Sequence, residues 1–178
     1  YKRQGANRIV YSEDNKYYID ITDDLTFLPG NEQFLITSEK DGYNHIYLYN
    51  MDGTLSKQLT AGNWEVSKVY GYDSKKKQVF YQSAEESPLN RDIYVVNLKG
   101  KRTNISMHEG TNNAAFSKNY KYFINTWKDA NTPPVITVNY ANGKQVRMLE
   151  DNHGLIQKMQ KFNLSEQFFF KIESPEFT

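Results

Sequence analysis

The feature that most constrains this chain is a repeat. Asp52-Gly53, Lys99-Gly100 and Asn142-Gly143 each follow a short strand-like run and precede another, as two-residue hairpin turns do. Their glycines lie 47 and then 43 residues apart. The flanks repeat with them. Upstream stand His45 to Tyr49, Asp92 to Val96 and Val135 to Val138; downstream stand Gln58-Leu59-Thr60, Asn104-Ile105-Ser106 and Met148-Leu149-Glu150. A third landmark, a strand ending in a hydroxyl residue, recurs at Ser38, Ser83 and Thr126.

A period of about 40 to 50 residues carrying four short strands is the mark of propeller blades, because one four-stranded sheet buries both its faces only when neighbours stack on it. The spacing therefore predicts a partial β-propeller of about three four-stranded antiparallel blades, at residues 25–60, 65–106 and 113–150. Residues 1–24 read as the remnant of a preceding blade, with Arg8 to Ile21 as its outer strands. Residues 151–178 read as a short helix over Gly154 to Phe162, where Leu155, Ile156, Met159 and Phe162 stand near helical spacing, and a final strand from Gln167 to Ile172. A plain β-sandwich with accidental spacing is the competing fold; three landmarks repeating in register argue against it.

Composition agrees with an all-β class. The 178 residues include 14 Tyr and 10 Phe, concentrated with Val, Ile and Thr in runs that suit pleated, half-buried surfaces. This length fits one domain. Lys and Arg number 22 against 21 Asp and Glu, interspersed, so there is no electrostatic footprint for nucleic acid or an acidic membrane. The absence of cysteine excludes disulfides, zinc thiolates and a Cys nucleophile. Apolar runs such as Phe168 to Phe170 are far shorter than the roughly 20 residues of a membrane span. A start at Tyr1, with neither Met nor a signal-peptide pattern, predicts a piece of a longer protein.

Four segments, in order, carry a family resemblance: Asp41 to Tyr49, Leu59 to Val66 with its Gly-Asn-Trp-Glu-Val, Glu85-Glu86-Ser87-Pro88-Leu89, and Leu149-Glu150-Asp151-Asn152. Together they resemble the propeller of bacterial dipeptidyl peptidase IV-type serine peptidases of the prolyl oligopeptidase family, over most of the chain from about Tyr17 onward. The resemblance implies an eight-bladed propeller that caps an α/β-hydrolase domain, encloses a substrate chamber and filters access to it. It implies a parent enzyme that removes dipeptides with Pro or Ala second from peptide N-termini. Its catalytic Ser would lie in Gly-x-Ser-x-Gly. That motif does not occur in this sequence, so no residue here is expected to be catalytic and the catalytic domain is expected beyond Thr178. No cofactor and no metal are implied.

Several residues invite functional readings. The family binds the substrate's amino group with paired glutamates, but those are expected upstream of Tyr1, and Glu85-Glu86 opens the loop Ser87 to Asn90; an ordinary loop or ion-pair role, with Arg91 as the partner, is expected. His45, His108 and His153 are scattered over a strand, a connector and a helix start, without the close spacing of a zinc site. Asp20, Asp23 and Asp24 cluster where the resembling segment borders the chamber. They read first as carboxylates accepting turn N–H bonds, and second as substrate-facing groups tuning the field that a peptide meets. Trp64 and Trp127 are expected to pack between sheets, and Asn131-Thr132-Pro133-Pro134 to lead into an edge or outer strand.

Two functions compete: a non-catalytic chamber and gating module of a serine dipeptidyl peptidase, or a propeller scaffold that binds a protein partner with no peptidase attached. The first predicts peptide substrates and the hydrolase domain of the same chain as partners, and a periplasmic or cell-surface location. In either case three blades cannot close a ring, so self-association through uncovered blade faces is expected.

Overall fold

The computed structural model describes residues 8–162 and 164–172. Among them the chain forms β1 (Thr26–Phe27), β2 (Gln33–Ser38), β3 (His45–Asn50), β4 (Leu55–Gln58), β5 (Val66–Asp73), β6 (Gln78–Ser83), β7 (Asp92–Asn97), β8 (Arg102–Asn104), β9 (Thr111–Phe116), β10 (Tyr122–Lys128), β11 (Val135–Tyr140), β12 (Gln145–Glu150) and α1 (His153–Gln160). The strands make three four-stranded antiparallel sheets, each with its strands side by side in chain order. These are three consecutive blades of an open propeller.

The middle blade shows why the sheets stack. Side chains alternate across a strand, so Val79 and Tyr81 of β6 face the first blade and join Leu35, Ile46 and Leu48. Phe80, between them, faces the third blade and packs with Ile93, Val95, Ala114 and Phe123. Val79, Phe80 and Tyr81 are all 0% exposed. A strand covered on both faces needs consecutive apolar residues, which is why Val-Phe-Tyr and Ile-Tyr-Val-Val replace the usual alternation in β6 and β7. Each such side chain contributes about 1.5–3 kcal/mol by burial. The far face of the third blade has no such cover among the described residues: Ile124 is 43% and Tyr140 38% exposed.

The three predicted hairpin glycines fall on one turn, built three times, and it is longer than two residues. In each, the glycine N–H donates to the carbonyl three residues back: Gly53 to Asn50 at 2.9 Å, Gly100 to Asn97 and Gly143 to Tyr140 at 2.8 Å. The residue that accepts this bond also donates its own N–H beyond the glycine, to Thr54, Lys101 and Lys144 respectively. Met51-Asp52-Gly53 and its two counterparts are therefore three-residue loops in which only glycine takes a positive φ, +91°, +85° and +90°. The sequence marked the glycine correctly and left one loop residue uncounted.

Each of these turns leans on the chain before it. A Cβ at Gly143 would lie 2.6 Å from the Ile105 carbonyl oxygen that follows the second blade, and one at Gly100 would lie 4.0 Å from that of Leu59. At Gly53 the neighbour is the Val10 carbonyl, 2.8 Å away. Val10 thus holds the place that Leu59 and Ile105 hold in the other blades. Arg8 donates to the Met51 carbonyl much as Lys57 donates to that of Lys99 at 2.8 Å. Val10 and Tyr11 cover Phe34, Tyr47 and Tyr49 of the first blade.

Two expected strands are absent. Arg8 to Ile21 makes no ladder; it holds its position by these contacts, and Tyr17, Tyr18 and Ile21 stay exposed. Gln167 to Ile172 likewise makes none. It pairs with no strand edge, and Phe168, Phe169 and Phe170 remain 66–80% exposed. Residues 1–7, 163 and 173–178 lie outside the described residues.

Candidate functional site

Asp20, Asp23 and Asp24 lie on the segment that runs into β1. They do not converge. Asp20 lines a small cleft of about 50 Å³ with Glu13, Thr22, Ser38 and Asn44. Asp24 is half-buried and accepts from the Thr37 hydroxyl at 3.4 Å, which itself lies 2.9 Å from Thr22 Oγ1. Burial pushes the Asp24 carboxyl up from its ordinary value; the Thr37 hydrogen bond opposes this, Asp23 reinforces it, and Lys68 of the inner strand β5 opposes it. Asp23 is exposed.

Glu85 and Glu86 are separated by their partners. Glu85 takes Arg102 at 2.7 Å, and Arg91 instead faces Glu65 at 3.7 Å. The expected pairing with Arg91 is therefore replaced by one across the blade to β8. Glu86 accepts from the Tyr94 hydroxyl at 3.1 Å.

Of the histidines, His45 is wholly buried, with Nδ1 3.1 Å from Thr60 Oγ1 and Nε2 3.0 Å from the Gly62 carbonyl. A carbonyl only accepts, so Nε2 donates to Gly62. Trp64 stands edge-on to this ring at 4.8 Å and packs on the core between the first two blades. His108 lies against Trp127, whose Nε1 donates to the Glu109 carbonyl at 2.6 Å. His153 meets Gln157 within α1. These contacts are structural; none of the ring hydrogen bonds goes to a serine. Among the described residues no group of His, Asp and Glu is arranged to hold a metal ion.

The site that sequence reasoning missed is a cleft of about 940 Å³ between the second and third blades. Glu86, Leu89 and Asp92 line it from the β6–β7 loop and β7, His108 and Glu109 from the blade connector, and Asn131 from the β10–β11 loop. Gln167 and Phe169 reach it from the segment after α1. Asp92, 4% exposed, accepts from Asn112 Nδ2 at 3.3 Å, and Asn112 Oδ1 accepts in turn from Asn125 at 3.0 Å. Burial raises the Asp92 carboxyl, Ser106 opposes by hydrogen bonding, and Glu86 and Glu109 add to the rise. The signal available in the sequence was positional: Asp92 stands in the repeat where His45 stands. Non-local loops build the rest.

The segments with their repeated strands match a family described as the dipeptidyl peptidase IV (DPP IV) N-terminal region, over residues 1–134. The crystal structure of Porphyromonas gingivalis dipeptidyl peptidase 4 is similar, with a TM-score of 0.76 and 46% identity over 82% of this chain and 21% of that one. Dipeptidyl peptidase 4 of Trichophyton rubrum is 28% identical over 150 residues, covering 82% of this chain and 19% of the fungal protein. That of Trichophyton equinum is 28% identical over 153 residues with the same coverage. The chain thus spans about a fifth of the relatives it matches. Among the described residues no helix is long and apolar enough to cross a membrane. With three stacked blades in the repeat's own register and a family match over three quarters of its length, the chain belongs to the dipeptidyl peptidase IV N-terminal region family.

Proposed function

We propose that this chain is a non-catalytic stretch of a peptidase propeller, forming part of the wall of a substrate chamber and gating peptide access to an α/β-hydrolase domain of the same parent chain. The parent releases N-terminal dipeptides with Pro or Ala second, in the periplasm or at the cell surface. The observation that carries this reading is the family match across three blades that stack without closing, in a sequence with no Gly-x-Ser-x-Gly. Val10 and Arg8, standing where Leu59 and Lys57 stand in the next blade, support reading residues 1–24 as the end of a preceding blade. Asp24, half-buried beside Lys68 of an inner strand, is the best placed of the three aspartates to act on a passing peptide.

The test is turnover. The 178-residue chain is expected to hydrolyse a Gly-Pro chromogenic substrate no faster than a heat-treated control. The full parent protein, with its upstream and downstream reading frame, is expected to hydrolyse it and to lose activity on treatment with a serine-directed fluorophosphonate. Turnover by the chain alone, or an inactive full parent protein, overturns the reading and leaves a protein-binding scaffold in its place.

A further inference from the structure

The segment after α1 crosses the loop end of the blades without joining any sheet. Among the described residues, both hydrogen bonds that tie 164–172 to the blades are made by one side chain. Asn131 Nδ2 donates to the Gln167 carbonyl at 2.8 Å, and Asn131 Oδ1 accepts from the Gln167 N–H at 2.8 Å. An amide side chain here supplies the donor and acceptor of a β-bridge that a neighbouring strand would otherwise provide. Asn131 is itself set by the turn it sits in: its N–H donates to Asp129 Oδ1 at 2.8 Å, and the Thr132 N–H donates to the same oxygen at 2.6 Å. Backbone hydrogen bonds to this carboxylate hold Asp129 below the usual range despite some burial, so the loop keeps its anchor ionised near neutrality.

On either side of this clamp the segment lies over open space. Gln167 and Phe169 line the 940 Å³ cleft between the second and third blades. Leu164 and Gln167 border a second cleft of about 930 Å³, with Pro133 of the loop and Leu155, Ile156 and Met159 of α1. Phe168, Phe169 and Phe170 are 80%, 66% and 72% exposed, so side-chain burial adds little to hold the segment down.

We infer that residues 164–172 form a strap over the mouths of both clefts, latched by Asn131 alone, and that opening of this latch leaves the blades intact while widening access to the cleft lined by Asp92. Asn131 is a positioning residue. The inference does not rest on the peptidase reading, because it concerns contacts within this chain only.

An exposed amide hydrogen bond is a net factor of roughly 2 to 12 in an opening equilibrium, so loss of both raises strap opening by about 4- to 150-fold. The experiment is residue-resolved amide exchange by NMR on the intact chain, comparing wild type with Asn131→Ala and Asn131→Asp. In Asn131→Ala, the Gln167 amide is expected to exchange about 4- to 150-fold faster. In Asn131→Asp, the carboxylate still accepts from the Gln167 N–H but cannot donate to its carbonyl, so the Gln167 amide is expected to exchange at least about 2- to 12-fold faster. Amides of β6, β7, β10 and β11 are expected to be unchanged in both. An unchanged Gln167 rate in Asn131→Ala overturns the latch. So does a parallel rise across the blade amides, which would make Asn131 a general stability residue. Should Asn131→Ala not fold, that outcome also counts against a local latch, and an unchanged Gln167 rate in the folded Asn131→Asp protein would do the same.

Discussion

His45 and Asp92 open the third strand of successive blades and solve the same problem with different chemistry. Each is buried where a strand end meets a hydroxyl from beyond the fourth strand: Thr60 Oγ1 accepts from the Ile46 N–H at 2.9 Å, and Ser106 Oγ from that of Ile93 at 2.7 Å. His45 completes its blade with both ring nitrogens hydrogen-bonded. Asp92 completes its own as a carboxylate whose ionised form burial disfavours, next to Glu86 and Glu109. Because its folded value lies above the ordinary one, the ionised group opposes folding at neutral pH. The folded state gains stability as pH falls from above that raised value to below the ordinary carboxylate value. Asp92→Asn removes the charge and keeps an acceptor for Asn112. It is expected to be at least as stable as wild type at pH 7 in urea titration, and to lose this acid-side gain. Asp92→Ala removes an acceptor of the Ser106 hydroxyl and leaves a buried gap, while Asn112 Nδ2 keeps the His108 and Arg91 carbonyls, and it is expected to lose about 1–3 kcal/mol. A less stable Asn variant at pH 7 would show that the charge itself is used.

At the scale of elements, the repeated turn is where blade meets blade. Gly143 is needed twice over: its φ is +90°, and a Cβ would press on the Ile105 backbone at 2.6 Å. Gly42 has a similar φ, +103°, with nothing within 4 Å of a Cβ. The left-handed conformation alone costs an alanine about 1–2 kcal/mol. Gly42→Ala is therefore expected to lose about that much, and Gly143→Ala at least about 1 kcal/mol more, because backbone cannot swing aside as a side chain can. Urea titration of the two variants separates the effects; equal losses would mean that the inter-blade contact yields without cost. The same turns show how far the elements were legible. Glycine spacing, and apolar runs such as Ile93 to Val96, report local requirements, so blade count and strand order could be read directly. Gln167 to Ile172 carries an equally strand-like pattern, yet a strand exists only where it pairs with an edge, and here the Asn131 side chain takes the place of one. The cleft around Asp92 was illegible for a related reason: its walls come from three loops far apart in the chain, and no periodicity marks their meeting.

For the whole molecule, the decisive asymmetry is between the two ends of the blade stack. The first blade's aromatic face is covered from within the chain, with Tyr11 edge-on to Tyr49 at 5.1 Å and Val10 and Met51 beside Phe34. The third blade's outer face presents Ile124 and Tyr140, 43% and 38% exposed, with Val138 half-buried opposite Ile124, on a sheet whose opposite side is already packed. A contiguous apolar sheet face of this kind favours association, and a second copy offers the same face to pair with. The chain is therefore expected to self-associate, with a sedimentation coefficient that rises with concentration. Ile124→Glu combined with Tyr140→Glu places two carboxylates on that face without touching the buried side. Burying them unpaired costs well over the ~1.4 kcal/mol that corresponds to a tenfold change in Kd. The double variant is thus expected to stay monomeric at concentrations at least about ten times higher than wild type. If wild type and variant sediment alike as monomers across the range, the open face is not a sticking surface, and the contacts already made by three blades suffice to keep the stack in solution on its own.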